Sequence, residues 1–183
     1  VNLVDRIDAL LPQTQCTRCG YDGCRPYAQA LADDLTAINR CPPGGAQGIE
    51  ALAALLGRAL IPLDPDCGSE ADAGVAFIDQ NACIGCARCL LPCPVDAIIG
   101  SQRYLHTVLE CDCNGCELCL ASCPVDCIVM RPRASGAGAP TAAENRARYE
   151  RHRTRTQRSA HERAALLAER KRAVPTPDEP RSQ

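Results

Sequence analysis

Cysteine is where chemistry is most concentrated in this sequence. Fifteen thiols stand at positions 16, 19, 24, 41, 67, 83, 86, 89, 93, 111, 113, 116, 119, 123 and 127 of a 183-residue chain. The count is odd. Asp5 and Arg6 interrupt the N-terminal apolar run, so no secretory leader is expected. A secreted disulfide framework would prefer an even count and such a leader. Short, repeated Cys-x-x-Cys spacings point to metal or redox chemistry instead.

The strongest pattern is an internal repeat. Residues 83–98 read CIGCARCLLPCPVDAI and residues 113–128 read CNGCELCLASCPVDCI, identical at 10 of 16 positions at an offset of 30. Both carry C-x2-C-x2-C-x3-C-P, the ligand run of bacterial two-cluster ferredoxins. Three thiolates within seven residues can bend around three corners of one [4Fe–4S] cubane. Gly85 and Gly115 allow tight turns that bring backbone N–H groups toward the sulfurs, a nest for an anionic cluster. In this motif the fourth cysteine serves the other cluster. Cys83, Cys86 and Cys89 are therefore expected to share one with Cys123, and Cys113, Cys116 and Cys119 to share one with Cys93. Pro94 and Pro124 turn the chain out of each loop and add no competing donor. Zinc is the competing chemistry. It takes four ligands, usually as two separated pairs, and fits the triplet-plus-one pattern poorly.

A third set lies upstream: Cys16, Cys19, Cys24 and Cys41, spaced C-x2-C-x4-C-x16-C. Tyr27, Ala28, Leu31, Leu35 and Ile38 recur at helical steps between its last two members. Pro26 suits an early helical position. Pro42-Pro43-Gly44-Gly45 stops any helix. Such a helix would return the chain so that Cys41 faces the other three. Spacing alone leaves one [4Fe–4S] cluster and one zinc both open here.

The segment VDRIDALLPQTQCTRCGYDGCRPYAQAL…INRCPPGG resembles the iron–sulfur module of the B subunit of Rnf/Rsx electron transport complexes. The ferredoxin pair that follows, and the phrase LHTVLECDCNGCELC, resemble that same protein in the same order, over roughly residues 2–131. The resemblance implies three [4Fe–4S] clusters held by the twelve cysteines above. It also implies a role in exchanging electrons between nicotinamide and ferredoxin pools. Many members of that family begin with a membrane-spanning helix. No apolar stretch here approaches the ~20 residues a span needs, so the expectation is a short form without that helix. Its expected place is cytoplasmic, peripheral on the inner face of the cytoplasmic membrane through partner subunits. The expected partners are other redox proteins, either Rnf/Rsx membrane subunits or a soluble reductase.

Three cysteines remain. Cys67 lies in a Pro/Asp/Gly stretch, LDPDCGSE, and reads as an exposed free thiol. Cys111 precedes Cys113 by two residues, but the repeat aligns Cys113 with Cys83, which excludes Cys111. Cys127 aligns with Ala97 and reads as a small buried residue beside a cluster.

The elements that must position these thiols form an α+β chain. The expectation is a small helical Fe–S module, then a bacterial two-[4Fe–4S] ferredoxin-like domain, then a C-terminal basic helix. The module spans residues 1–60. It has an amphipathic helix over 2–11 (Asn2 as cap; Leu3, Ile7, Leu10 and Leu11 on one face) and another over about 46–57. Residues 61–74 read as a linker and 75–131 as the ferredoxin domain, with strands at 75–78, 105–109 and 128–130. Residues 132–141 read as a flexible spacer, 142–173 as a basic helix and 174–183 as a disordered tail.

Charge divides the same way. Residues 1–130 hold 7 Lys/Arg against 16 Asp/Glu, and residues 131–183 hold 13 against 6. No single apolar stripe runs along the basic helix, so it is expected to be exposed or to dock on an acidic surface. Little aromatic residue interleaves with its arginines, so nucleic acid is not expected. The sequence carries no catalytic constellation and no G-x-G-x-x-G or P-loop. His106 is expected in a strand in a structural role. Asp96 and Asp126 are expected to cap a short helix or a turn. The reading is an electron-transfer protein relaying single electrons through three [4Fe–4S] clusters, not an enzyme by itself. A free soluble polyferredoxin is the alternative, and a zinc-stabilised scaffold with an Arg-rich interaction tail a more distant one.

Overall fold

The structure is a computed structural model that describes residues 2–70, 74–134 and 138–173. The expected tail at 174–183 lies outside the described residues, as does the centre of the expected spacer. The chain divides into two compact units, residues 1–149 and 150–183.

In the first unit, three helices build the N-terminal core: α1 (Leu3–Leu10), α2 (Cys24–Ala32) and α3 (Gly45–Leu56). Asn2 caps α1, its Oδ1 accepting from the Asp5 N–H at 2.8 Å. Ile7 and Leu11 enter the core with Tyr27, Leu31, Ile38 and Leu52. Leu3 and Leu10 stay exposed, so the buried face of α1 is narrower than its apolar pattern implies. Helix α3 ends where Gly57 turns left-handed at φ 65°.

The long α2 implied by the periodicity does not form. The helix stops at Ala32, Asp34 adopts φ 57°, and Leu35 is 76 % exposed. Tyr27 returns the chain in its place. Its hydroxyl donates to the Ala37 carbonyl at 2.9 Å and accepts from the Arg40 N–H at 3.3 Å, setting Cys41 against the core. Within the expected linker, residues 65–67 make a 3₁₀ turn that buries Cys67, the thiol expected to be exposed.

Two antiparallel ladders follow. β1 (Val75–Ile78) pairs with β4 (Ile128–Arg131), and β2 (Ile98–Ile99) pairs with β3 (Thr107–Val108). β2 falls outside the expected strands, and β3 is shorter than the expected one, so His106 lies just before it. Each ladder takes one strand from each repeat half. Phe77 faces Val129, and shifting each residue by the repeat offset gives Thr107 facing Ile99. The loop bonds mirror as well: Asp79 N–H to Cys127 O at 2.9 Å, Leu109 N–H to Ala97 O at 2.7 Å. The halves are thus exchanged about a pseudo-twofold axis. Asp96 and Asp126 occupy matching left-handed turns, φ 52° and 51°, with no helix after them.

Helix α4 (Ala142–Ala173) opens with a Thr141-x-x-Glu144 capping box. Thr141 Oγ1 accepts from the Glu144 N–H at 3.3 Å, and the Glu144 carboxylate accepts from the Thr141 N–H at 2.8 Å. Those bonds hold the Glu144 carboxyl below the usual range. The first turns of α4 are tied to the acidic body. Arg146 pairs with the buried Asp8, and Arg148 pairs with Asp112 at 2.5 Å. In the second unit, the described side chains of α4 are exposed apart from the half-buried His152. No helix among the described residues is long and apolar enough to cross a membrane.

Candidate iron–sulfur sites

The upstream thiols gather around an irregular loop. Gln13, Gln15 and Thr17 alternate into the left-handed region at φ 58°, 56° and 62°. That path turns Gln15 inward, where its Oε1 accepts the Cys24 N–H at 2.9 Å and satisfies an otherwise orphaned donor at the start of α2. Gly23 (φ 133°) makes the room, because a Cβ there would lie 2.6 Å from that oxygen. Arg40 clamps the loop by donating to the Cys19 carbonyl at 3.2 Å. Burial raises the Cys24 thiol to about 12, helped by charge on Cys16 and Cys19. It raises Cys41 equally, helped by Cys24, Cys16 and Cys19. Cys41 thus feels the charge of the other three members of the set.

The repeat loops share their own geometry. Gly85 and Ala87 are left-handed at φ 67° and 62°, and Gly115 and Glu117 at 72° and 65°. Such alternation points successive N–H groups to one side, as an anionic cluster requires. Gly85 is needed for a second reason: a Cβ would meet the Tyr104 carbonyl oxygen at 2.9 Å. Burial raises Cys89 to about 11, with contributions from Cys86, Cys83 and Cys123. Burial raises Cys116 to about 12, with contributions from Cys93, Cys119 and Cys113. The electrostatic neighbours thus cross between the halves. Cys119, raised to about 12 by burial, also senses Cys89, so these two sites are adjacent.

Soft thiolates in groups of four suit an iron–sulfur cluster. Among the described residues, no three Cys, His, Asp or Glu groups are disposed to hold a single metal ion.

The leftover cysteines separate clearly. Cys111 is exposed. Cys67 is buried, and its charge is felt by Cys19. Cys127 is buried with its sulfur 3.4 Å from that of Cys123. His106, assigned only a structural role from sequence, places Nδ1 3.6 Å from the Cys83 sulfur.

One repeat loop also contacts the upstream module. Asn114 donates to the Thr14 carbonyl at 3.1 Å, and Glu117 pairs with Arg18 at 2.5 Å. A solvent-open cavity of about 370 Å³ lies along this seam, lined by Pro12, Thr14, Arg18, Asn114 and Glu117 among others. Neither polar residue announces this in sequence, because the contacts span about a hundred positions.

Comparison with known proteins agrees with both regions. Residues 76–130 match the family model of the 4Fe-4S dicluster domain, and residues 11–43 match that of a putative Fe-S cluster. The B subunit of the ion-translocating oxidoreductase complex of Azoarcus sp. (strain BH72) is 59 % identical over 108 residues, covering 59 % of each chain. The chain resembles the B subunits of ion-translocating oxidoreductase complexes. The B subunit of Thiobacillus denitrificans is 55 % identical over 107 residues, 58 % of this chain and 57 % of its own. That of Hahella chejuensis is 54 % identical over 107 residues, 58 % of this chain and 54 % of its own. The chain thus spans rather more than half the length of these relatives. No solved structure matches it significantly.

Proposed function

We propose that this chain is an electron-transfer subunit of an Rnf/Rsx-type complex, relaying single electrons through three [4Fe–4S] clusters. Cys16, Cys19, Cys24 and Cys41 hold the first. Cys83, Cys86, Cys89 and Cys123 hold the second, and Cys93, Cys113, Cys116 and Cys119 the third. Bound clusters supply one-electron chemistry with little rearrangement. The chain's own residues place the thiolates, direct N–H groups at the sulfurs and keep water from them. The observation that supports this reading is that the thiols acting on the buried Cys24, Cys41, Cys89 and Cys116 belong to the same proposed sets, those of Cys89 and Cys116 drawing a member from the other repeat half.

The seam supports a spatial order. Asn114 and Glu117 lie within the 113–119 loop and contact residues beside Cys16. The site of Cys93 and that loop is then the middle one, and the site of Cys83, Cys86, Cys89 and Cys123 is distal. Around the distal site Ile84, Leu91, Tyr104 and Leu105 are exposed, a surface suited to a redox partner in the complex. The domain division follows the same logic: a helical module over 1–60, a connection over 61–74, a ferredoxin domain over 75–131 and a basic helix over 142–173.

Anaerobic purification tests the proposal. The protein should be brown, bleach on chemical reduction and then give the electron paramagnetic resonance (EPR) signal of reduced [4Fe–4S] clusters. A colourless protein without that signal would overturn it.

A further inference from the structure

The pseudo-twofold makes the two ferredoxin-type sites near copies, so the places where it fails carry information. Two failures fall on the same site. In each half the residue four after the last cysteine offers its backbone N–H to that cysteine's sulfur, as Ala97 does to Cys93 at 3.3 Å. In the other half this residue is Cys127, which adds a thiol 3.4 Å from the Cys123 sulfur. The second failure lies on the rung that continues the β2–β3 ladder. It sets His106 against Gly100, where a Cβ on the glycine would fall 2.4 Å from the imidazole Cδ2. The mirror rung of β1 and β4 sets Ala76 against Met130. Large and small have changed places, and the imidazole so admitted reaches the Cys83 sulfur with Nδ1 at 3.6 Å while only 1 % exposed. Its mirror position, Ala76, offers a methyl group and no donor.

A cysteine that ligates iron has lost its proton and can only accept. In the cluster-bound protein the contacts therefore run one way: His106 donates Nδ1–H to Cys83, and Cys127 donates S–H to Cys123. Donors on ligand sulfurs favour the reduced cluster, which carries one more negative charge. We propose that His106 and Cys127 are positioning residues that raise the reduction potential of the distal cluster (Cys83, Cys86, Cys89 and Cys123) above that of the middle one. Of these two sites, the electron then favours the surface-facing one. This rests on the three-cluster reading above.

EPR-monitored potentiometric titration of the cluster-loaded full chain tests it. Cys127→Ala copies the mirror residue Ala97, and His106→Leu fills the same space without a donor. Each should lower the higher of the two potentials by about tenfold in the one-electron equilibrium, ~59 mV. Cys127→Ser and His106→Gln, which keep a donor, should hold it near the original value. Ala97→Cys should raise the lower potential. Potentials unchanged in Cys127→Ala and His106→Leu, with iron and sulfide content intact, would overturn the inference. Absence of iron and sulfide from the unmodified protein would instead overturn the reading on which it rests. If His106→Leu loses iron, Cys127→Ala and Ala97→Cys decide the matter on their own.

Discussion

Residues 83–89 and 113–119 fold the same cysteine loop, yet one lies against the upstream module and the other opens to solvent. Their backbones agree closely, with left-handed residues at matching places. Side chains differ at three positions, 84/114, 87/117 and 88/118, and two of them set the contact. Asn114 and Glu117 reach Thr14 and Arg18, whereas their counterparts are Ile84, 61 % exposed, and Ala87. The cysteines and glycines make the loop. The residues between them decide what it touches. A duplicated cysteine loop can in this way become directional, one copy facing the upstream module and the other facing solvent.

The sharpest way to break this comparison is to remove one fourth cysteine. Cys93→Ser should empty the site of the 113–119 loop and spare that of its own half. Cys123→Ser should do the reverse. Each should cost about four irons, counted in the purified variants, and loss from the variant's own half would refute the exchange. Next in size is Gly85→Ala. Ala87 shows that a side chain is tolerated at φ 62°, but at Gly85 the added methyl meets the Tyr104 carbonyl. The expected cost is about 1–3 kcal/mol, read from denaturant unfolding, with preferential loss of the distal cluster.

The buried thiols give a pH dependence common to the upstream and repeat sites. Burial raises Cys24, Cys41, Cys116 and Cys119 from the ordinary 9.0 to about 12 in the cluster-free fold. A group raised in the folded state keeps its proton there longer than in the unfolded chain. Its contribution is therefore complete below about 9 and is lost as pH rises toward about 12. Melting temperatures of the reduced, cluster-free protein should fall across that window and not below it. The smallest effects belong to the seam. Asn114→Ala should cost about 1 kcal/mol. Glu117→Ala should cost less, because its ion pair with Arg18 is partly solvated. Ile84→Ala and Ala87→Gly on the open loop should leave the seam unchanged in amide hydrogen exchange.

Much of this architecture is written locally. The cysteine groups follow from spacing, and α4 follows from a run of strong helix formers that ends in the described structure at Ala173. The Thr141-x-x-Glu144 box that starts α4 is equally local. What sequence hides is long-range. Leu35 fits the helical period, but Asp33 and Asp34 end α2 before it, and the Tyr27 hydroxyl takes the role expected of a longer helix. Cys67 sits in a polar, proline-rich stretch, yet the 3₁₀ turn over 65–67 leaves it buried. β2 is two residues long and acquires its identity from pairing with β3. His106 and Gly100 make sense only together, across a ladder.

Iron, acid-labile sulfide and zinc per chain, determined after strictly anaerobic purification, test the central claim most directly. Three clusters of four irons predict about twelve irons and as many sulfides. About eight of each would remove the upstream cluster, and zinc without sulfide would contradict the electron relay altogether.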